Sequence, residues 1–445
     1  MPDMATRLEP PRDDGAARSP ARGIVAAVIG NALEFYDFTV YAAFSPILGR
    51  VFFPASNPNI SLLLSVATFG IGFFARPLGA VVFGAYSDRY GRKPAMTLTI
   101  LLMALGSGMI GVLPGYAEIG VAAPLLLIVA RLLQGFSVGG EFAPATAFLM
   151  ESAPGRRLFF FGSWQFASQN MGGIISGIIG VTLALMLSND AMAGWGWRIP
   201  FLIGLLIAPI GFYIRRRLHE TLERDKMCGS MATVLAEATR RHWYPIVLGI
   251  FVICGITVSQ YFFLYMTAYV VTALDYSQRM AMTINFTLGF IGMSFCVIGG
   301  VMADRYSVRV VALMPRALMT LLLIPALGFA LSSKSPAVFL VIIAGLMALH
   351  SISGVANIVL LRAFPIAVRS AGFSISSALG LTLFGGTAQV VFTWLIGKTG
   401  DHLSWVWYVV AANVVSIAAT MQIFRYMRNP CRLRRDRTLV PKHPC

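Results

Sequence analysis

Twelve apolar runs follow one another along this chain, at about 24–49, 60–85, 95–114, 122–150, 159–187, 197–215, 244–272, 280–303, 310–331, 336–361, 369–396 and 404–425. A helix of about 20 apolar residues is long enough to cross the hydrocarbon core of a bilayer. No water reaches the backbone there, so each run must satisfy its own N–H and C=O groups, and it does so as a helix. The composition agrees. The chain is 57% hydrophobic and 12% charged, with a mean hydropathy of +0.73. A soluble domain of this length carries about twice that charge fraction. The expected fold class is an all-α polytopic membrane protein.

The net charge of +16 invites a nucleic-acid reading, but the charges lie between the apolar runs and in the two tails. That distribution is the one the positive-inside rule produces, so no nucleic-acid partner is expected. With the N-terminus inside, the inner segments hold 27 Lys and Arg and the outer segments 4. Both termini are therefore expected in the cytoplasm. Residues 1–23, rich in Pro, Arg, Asp and Ala, lack the apolar core of a signal peptide and read as a disordered cytoplasmic tail. Residues 216–243 form the longest loop and divide the spans into six and six. The expected organisation is an N-terminal bundle (24–215), a cytoplasmic linker (216–243), a C-terminal bundle (244–425) and a basic cytoplasmic tail (426–445). The five cysteines suggest no disulfide framework.

The stretch at 84–94 reads G-A-Y-S-D-R-Y-G-R-K-P and is expected to be a hairpin loop between the second and third spans. Asp304-Arg305, after the eighth span, repeats Asp88-Arg89 at an offset of 216 residues, as two homologous halves would. The copy is partial, with Ser307 where the first has Gly91. Gly106, Gly108 and Gly111 match a dinucleotide fingerprint, but they lie inside a span and follow no strand, so helix packing explains them better. The chain shows no paired catalytic constellation, metal spacing or nucleophile motif; no enzyme, cofactor or metal is expected.

Three acids, Glu34, Asp37 and Glu141, fall well inside spans. Ionisable groups at membrane depth are costly and mark a pathway or a pair. Asn31, Glu34, Asp37 and Tyr41 share one face of the first span. Arg131, Gln134, Ser137 and Glu141 share one face of the fourth, and Gln165, Ser168 and Gln169 one of the fifth. Three polar stripes in one half imply a shared water-accessible cavity, against the simpler alternative of hydrogen bonds between helices. Arg76 and Arg131 are as deep, and a guanidinium fork suits carboxylates, whether from a side chain or a substrate. The C-terminal half offers softer groups, Tyr261, Tyr265, Asn285, His350, Asn357 and Gln389, with His350 more plausible as a structural group.

The pattern G-x-x-x-D-R-x-G-R-K-P at 84–94 resembles the loop between helices 2 and 3 of the major facilitator superfamily, and several stretches together resemble its metabolite:proton symporter branch: G-N-A-L-E-F-Y-D-F at 30–38, F-A-R-P-L-G-A at 74–80, R-L-L-Q-G-F-S-V-G-G-E at 131–141, W-G-W-R-I-P-F at 195–201 and F-P-I-A-V-R-S-A-G-F at 364–373. Within it, residues 114–120, 163–169 and 384–387 look most like citrate and tricarballylate symporters. The resemblance implies two pseudo-symmetric six-helix bundles and alternating access around a central site. It also implies proton-coupled uptake of a small molecule across a bacterial inner membrane. The protein is expected to function as a monomer. Carriers of zwitterionic osmolytes such as betaine belong to the same branch. A transport-dead sensor is the reading from another class, but the loops are too short for an added soluble domain. On this resemblance Asp37, Glu34 and Glu141 are candidates for the proton. Arg76, Arg131, Asn31, Tyr41, Gln134, Gln165, Gln169, Tyr261, Tyr265 and Asn357 are candidates for the substrate. Asp88, Arg89, Arg92, Glu151, Asp304 and Arg369 are candidates for a cytoplasmic gate. Arg362, where the branch usually has Glu, weakens the second copy of that gate.

Overall fold

The computed structural model describes residues 20–90, 92–139, 157–205, 209, 239–365 and 368–428, and the described chain is almost entirely helical. The long helices are α1 (Pro20–Phe52), α2 (Pro58–Tyr90), α3 (Arg92–Val112), α4 (Ala122–Val138), α5 (Leu158–Met186) and α6, of which 198–205 is described. They continue as α7 (Trp243–Thr272), α8 (Gln278–Arg305), α9 (Val308–Ser332), α10 (Pro336–Arg362), α11 (Arg369–Gly380, a π turn at Leu381–Gly385, then Gly386–Thr399) and α12 (Val406–Met427). Among the described residues, eight of these combine the length and hydropathy needed to cross a membrane. Helix ends fall within a few residues of the apolar runs where both ends are described.

The stretch at 84–94 departs from expectation. Helix α2 runs to Tyr90 and α3 starts at Arg92, so the charged motif lies on two helix ends rather than in a loop. Arg and Lys are good helix formers, so a charged stretch need not interrupt a helix.

Among the described residues, the two halves meet chiefly along α5 with α8, α2 with α11 and α1 with α7. The α5–α8 seam is built from small residues. Gly173 faces Gly289, Gly177 faces Phe286 and Gly180 faces Met282, while Gly300 faces Ser163 and Phe159 nearer the end where the chain begins and ends. A Cβ on Gly177 would stand 2.6 Å from the Phe286 Cα. Small residues let backbones approach where lipid offers no hydrophobic drive. Gly106, Gly108 and Gly111 pack in the same way, against Gln134, Leu205 and Leu202.

The α2–α11 pair touches chiefly in the half of the membrane away from the termini. There Gly70 lies against the Gly386 carbonyl, and Thr382 Oγ1 donates to the Phe73 carbonyl at 3.0 Å. Helix α1 is buried without a break from Tyr36 to Gly49, whereas residues 33–35 are partly exposed. The distal half is thus tightly closed. Two irregularities interrupt helices of the C-terminal half, the π turn of α11, which begins at Leu381, and a break in α10 at Gly354–Val355, and Leu381 and Gly354 both line a cavity at the centre. Such interruptions free backbone groups and often mark functional positions in membrane helices.

Candidate substrate and proton site

An aromatic cluster closes the distal side of the centre. Phe69 and Phe73 from α2 sit 5.9 and 5.4 Å from the ring of Tyr261 on α7, and Phe38 on α1 packs about equally against both. On the terminal side of this plug, between the halves, lies a cavity of about 130 Å³, room for about four waters at the ~30 Å³ each occupies in the liquid. Its polar walls come from both halves: Asn31, Glu34, Arg76 and Gln169 on one side, Gln260, Tyr261, His350 and Asn357 on the other.

Arg76 is held at the junction of plug and cavity. Its guanidinium lies 4.0 Å from the Phe73 ring centre and 4.7 Å from that of Phe38, and it is 5% exposed. Pro77 follows it inside α2. Tyr261 and Glu34 are its polar neighbours, yet Nε and Nη2 have no hydrogen-bond partner. A buried guanidinium with donors to spare is costly unless an anion meets it.

Arg131 lies deeper, away from the cavity lining. Its Nη1 donates to Gln134 Oε1 at 2.7 Å, and its guanidinium lies 4.4 Å from the Tyr41 ring centre. Gln134 Nε2 then donates to Ser107 Oγ at 2.8 Å, and Ser107 faces Asp37. Asp37 is 1% exposed, lies against Gly204 of α6, and neither of its carboxylate oxygens has a partner in hydrogen-bond geometry. Arg131 and Asp37 thus make no direct ion pair, and Gln134 and Ser107 stand between them.

Of the residues singled out in the sequence, Asn31, Glu34, Arg76, Gln169, Tyr261 and Asn357 come together around the cavity. Asp37, Arg131, Gln134 and Tyr41 form the second group behind it. Gln165 exchanges hydrogen bonds with Asn31, and Tyr265 accepts from Thr393 within the C-terminal half. Glu141 and Glu151 lie outside the described residues, as do the side chains of Asp88, Arg89 and Arg92. Gln260, Ser351 and Ser377 line the cavity without having been singled out. Spacing carried a signal for the first, since Thr257, Gln260 and Tyr261 share one helix face.

Among the gate candidates, Asp304 ends α8 at the terminal side. Its two carboxylate oxygens accept from the backbone N–H groups of Phe159 and Phe160, each at 2.9 Å. These are unsatisfied donors at the start of α5 in the other half, where a negative charge is favoured by the helix dipole. Ser307 occupies the N-cap of α9 without a side-chain cap bond. Asp304→Ala removes two charge-assisted bonds across the interface. It should shift the balance of the two access states by about 2 kcal/mol, lowering the transport rate while membrane insertion stays normal. Wild-type transport by this variant in vesicles would rule the latch out.

Comparison with known proteins places this architecture. Residues 23–226 match the family model described as Sugar (and other) transporter. The citrate-proton symporter of Salmonella typhi is 34% identical over 90% of this chain and 93% of its own. That of Klebsiella pneumoniae is 34% identical over 92% and 93%. A glycine betaine/proline/ectoine/pipecolic acid transporter of Dickeya dadantii is 31% identical over 91% and 83%. Among solved structures, a D-xylose-proton symporter superposes with a TM-score of 0.73 at 18% identity, covering 91% of this chain and 97% of that one. A partially occluded, inward-open form of the xylose transporter XylE from E. coli gives 0.71 at 15% identity, covering 93% and 98%. The chain belongs to the major facilitator superfamily, in its metabolite:proton symporter family. It is a multi-pass, proton-coupled secondary transporter of a small molecule and not an enzyme.

Proposed function

We propose that the cargo is a small organic acid, a di- or tricarboxylate of the citrate kind, taken up with protons across a bacterial inner membrane by alternating access. The observation that carries this reading is Arg76, a buried cation with unpaired donors on the wall of a cavity shared by the two halves. The citrate-proton symporters at 34% identity support the same class. Both termini lie in the cytoplasm on this reading, which the Lys and Arg distribution supports, and the side of the cavity away from the aromatic plug faces inward. The halves are residues 24–215 and 244–425, joined by 216–243, with tails 1–23 and 426–445, and the monomer is the working unit. Asp37, Glu34 and Glu141 are the groups proposed to carry the proton.

A second reading, a carrier of betaine-like osmolytes, is favoured by the Dickeya dadantii relative. Such a cation binds aromatic faces, but Phe38 and Phe73 already hold the Arg76 guanidinium. The test is a thermal-shift screen of purified protein against citrate, tricarballylate, 2-oxoglutarate, shikimate and betaine. A ligand present at 100 times its Kd stabilises the folded state by about 2.7 kcal/mol. Stabilisation by a polycarboxylate is expected; stabilisation by betaine alone would reverse the order of the two readings.

A further inference from the structure

We infer that His350, oriented by Gln260, reads a hydroxyl group on the cargo, so that the transported acid is a hydroxycarboxylate rather than its deoxy analogue. This rests on the organic-acid reading above and narrows it.

His350 projects from α10 just before the break at Gly354, lines the cavity, and is 5% exposed. Its ring is fixed from several sides. Nε2 lies 3.2 Å from Gln260 Oε1, and the Phe263 ring packs 5.4 Å away, centre to centre. The backbone behind it is tied down as well. Ser353 Oγ donates to the His350 carbonyl at 2.7 Å, and the buried Arg316 guanidinium grips Ser353 Oγ and donates to Ser416 Oγ at 2.7 Å. Helices α7, α9, α10 and α12 therefore converge on the turn that carries this imidazole.

The tautomer follows from the partner. An amide oxygen only accepts, so the hydrogen of the His350–Gln260 bond sits on Nε2. In the neutral imidazole a donor at Nε2 leaves Nδ1 as an acceptor. Nδ1 is buried and has no partner in the protein. A buried acceptor left unmet costs about 1–3 kcal/mol. An ionised carboxylate has no hydrogen to give it, whereas a hydroxyl does. Ser377, another residue of the cavity wall, has a buried hydroxyl without a partner, which serves a hydroxyl in either role. Charge is thus recognised from the N-terminal half by Arg76, and the hydroxyl from the C-terminal half. A cargo with both groups spans the two halves.

Matched pairs of acids test this on the full-length purified protein by calorimetry: citrate against tricarballylate, and malate against succinate. Within each pair only the hydroxyl differs. The hydroxylated member of at least one pair is expected to bind about tenfold more tightly. His350→Ala should bring that ratio close to one while leaving the deoxy acid's affinity nearly unchanged. His350→Asn, which keeps an acceptor near the Nδ1 position, should retain most of the preference. Gln260→Met, which frees the ring while leaving the imidazole in place, should narrow it, and serves should His350→Ala fail to fold. Equal binding within both pairs by the wild type overturns the inference but leaves the carboxylate reading standing. So does a preference that survives both His350→Ala and Gln260→Met. Binding of neither pair overturns the carboxylate reading, and this inference with it.

Discussion

Arg76→Ala is expected to insert and fold, yet to bind the carboxylate cargo at least about thirtyfold more weakly and to transport almost none at low concentration. Truncating one member of a buried, hydrogen-bonded charge pair costs about 2–5 kcal/mol, and 2 kcal/mol is about thirtyfold in Kd. Arg76 meets these conditions because it is buried, keeps Nε and Nη2 unpaired, and opens onto the cavity between Glu34 and Tyr261. Arg76→Lys keeps a charge but loses the planar fork and its stacking on Phe73 and Phe38, so it should fall between the two. The melting temperature without ligand separates a binding role from a structural one. If Arg76 only braces the aromatic plug, both variants lower it and leave Kd alone. Calorimetry giving wild-type Kd for Arg76→Ala would remove this residue from the substrate site.

Much of this centre was legible because membranes make charge informative. Arg76, Arg131, Glu34 and Asp37 stand out in apolar runs, where a charged side chain has few innocent explanations. Helical periodicity then grouped Asn31 and Glu34 on the face that proves to line the cavity. Periodicity could not say which polar residues in a stripe reach the cavity and which bond to a neighbouring helix. Gln134 and Gln165 look alike in sequence, yet both are spent on contacts within the N-terminal half, the first on Arg131 and Ser107, the second on Asn31. That outcome depends on how closely helices approach, and so on glycines such as Gly106 and Gly172, which pack directly against Gln134 and the α1 backbone. The closure of the distal side was harder still. It rests on Phe69, Phe73 and Tyr261 meeting across the two halves, and a phenylalanine in a membrane span carries no mark of its partner. His350 illustrates the remaining gap: a lone histidine reads as structural until its neighbours show one nitrogen held and the other unmet.

Asp37→Asn is expected to separate substrate movement from proton movement. Its carboxylate is almost completely buried, has no hydrogen-bond partner of its own, and lies at the end of a chain running through Ser107 and Gln134 to Arg131. Gaining or losing a proton there changes the field on Arg131 and the hydrogen bonds of α3 and α4 together. On the proposed role, a proton there would bias how the N-terminal half packs without touching the cargo in the cavity. Asparagine keeps the shape but fixes the charge at zero, so the bias no longer depends on the proton. In proteoliposomes the variant should bind substrate and exchange it across the membrane at near the parent rate. Under an imposed difference of one pH unit, the parent stores about 1.4 kcal/mol per coupled proton, enough for about tenfold accumulation. Asp37→Asn should not concentrate its substrate at all. If it accumulates substrate as the parent does, the coupling proton resides elsewhere. Glu34, which shares the cavity with Arg76, is then the first residue to take through the same assay, followed by Glu141.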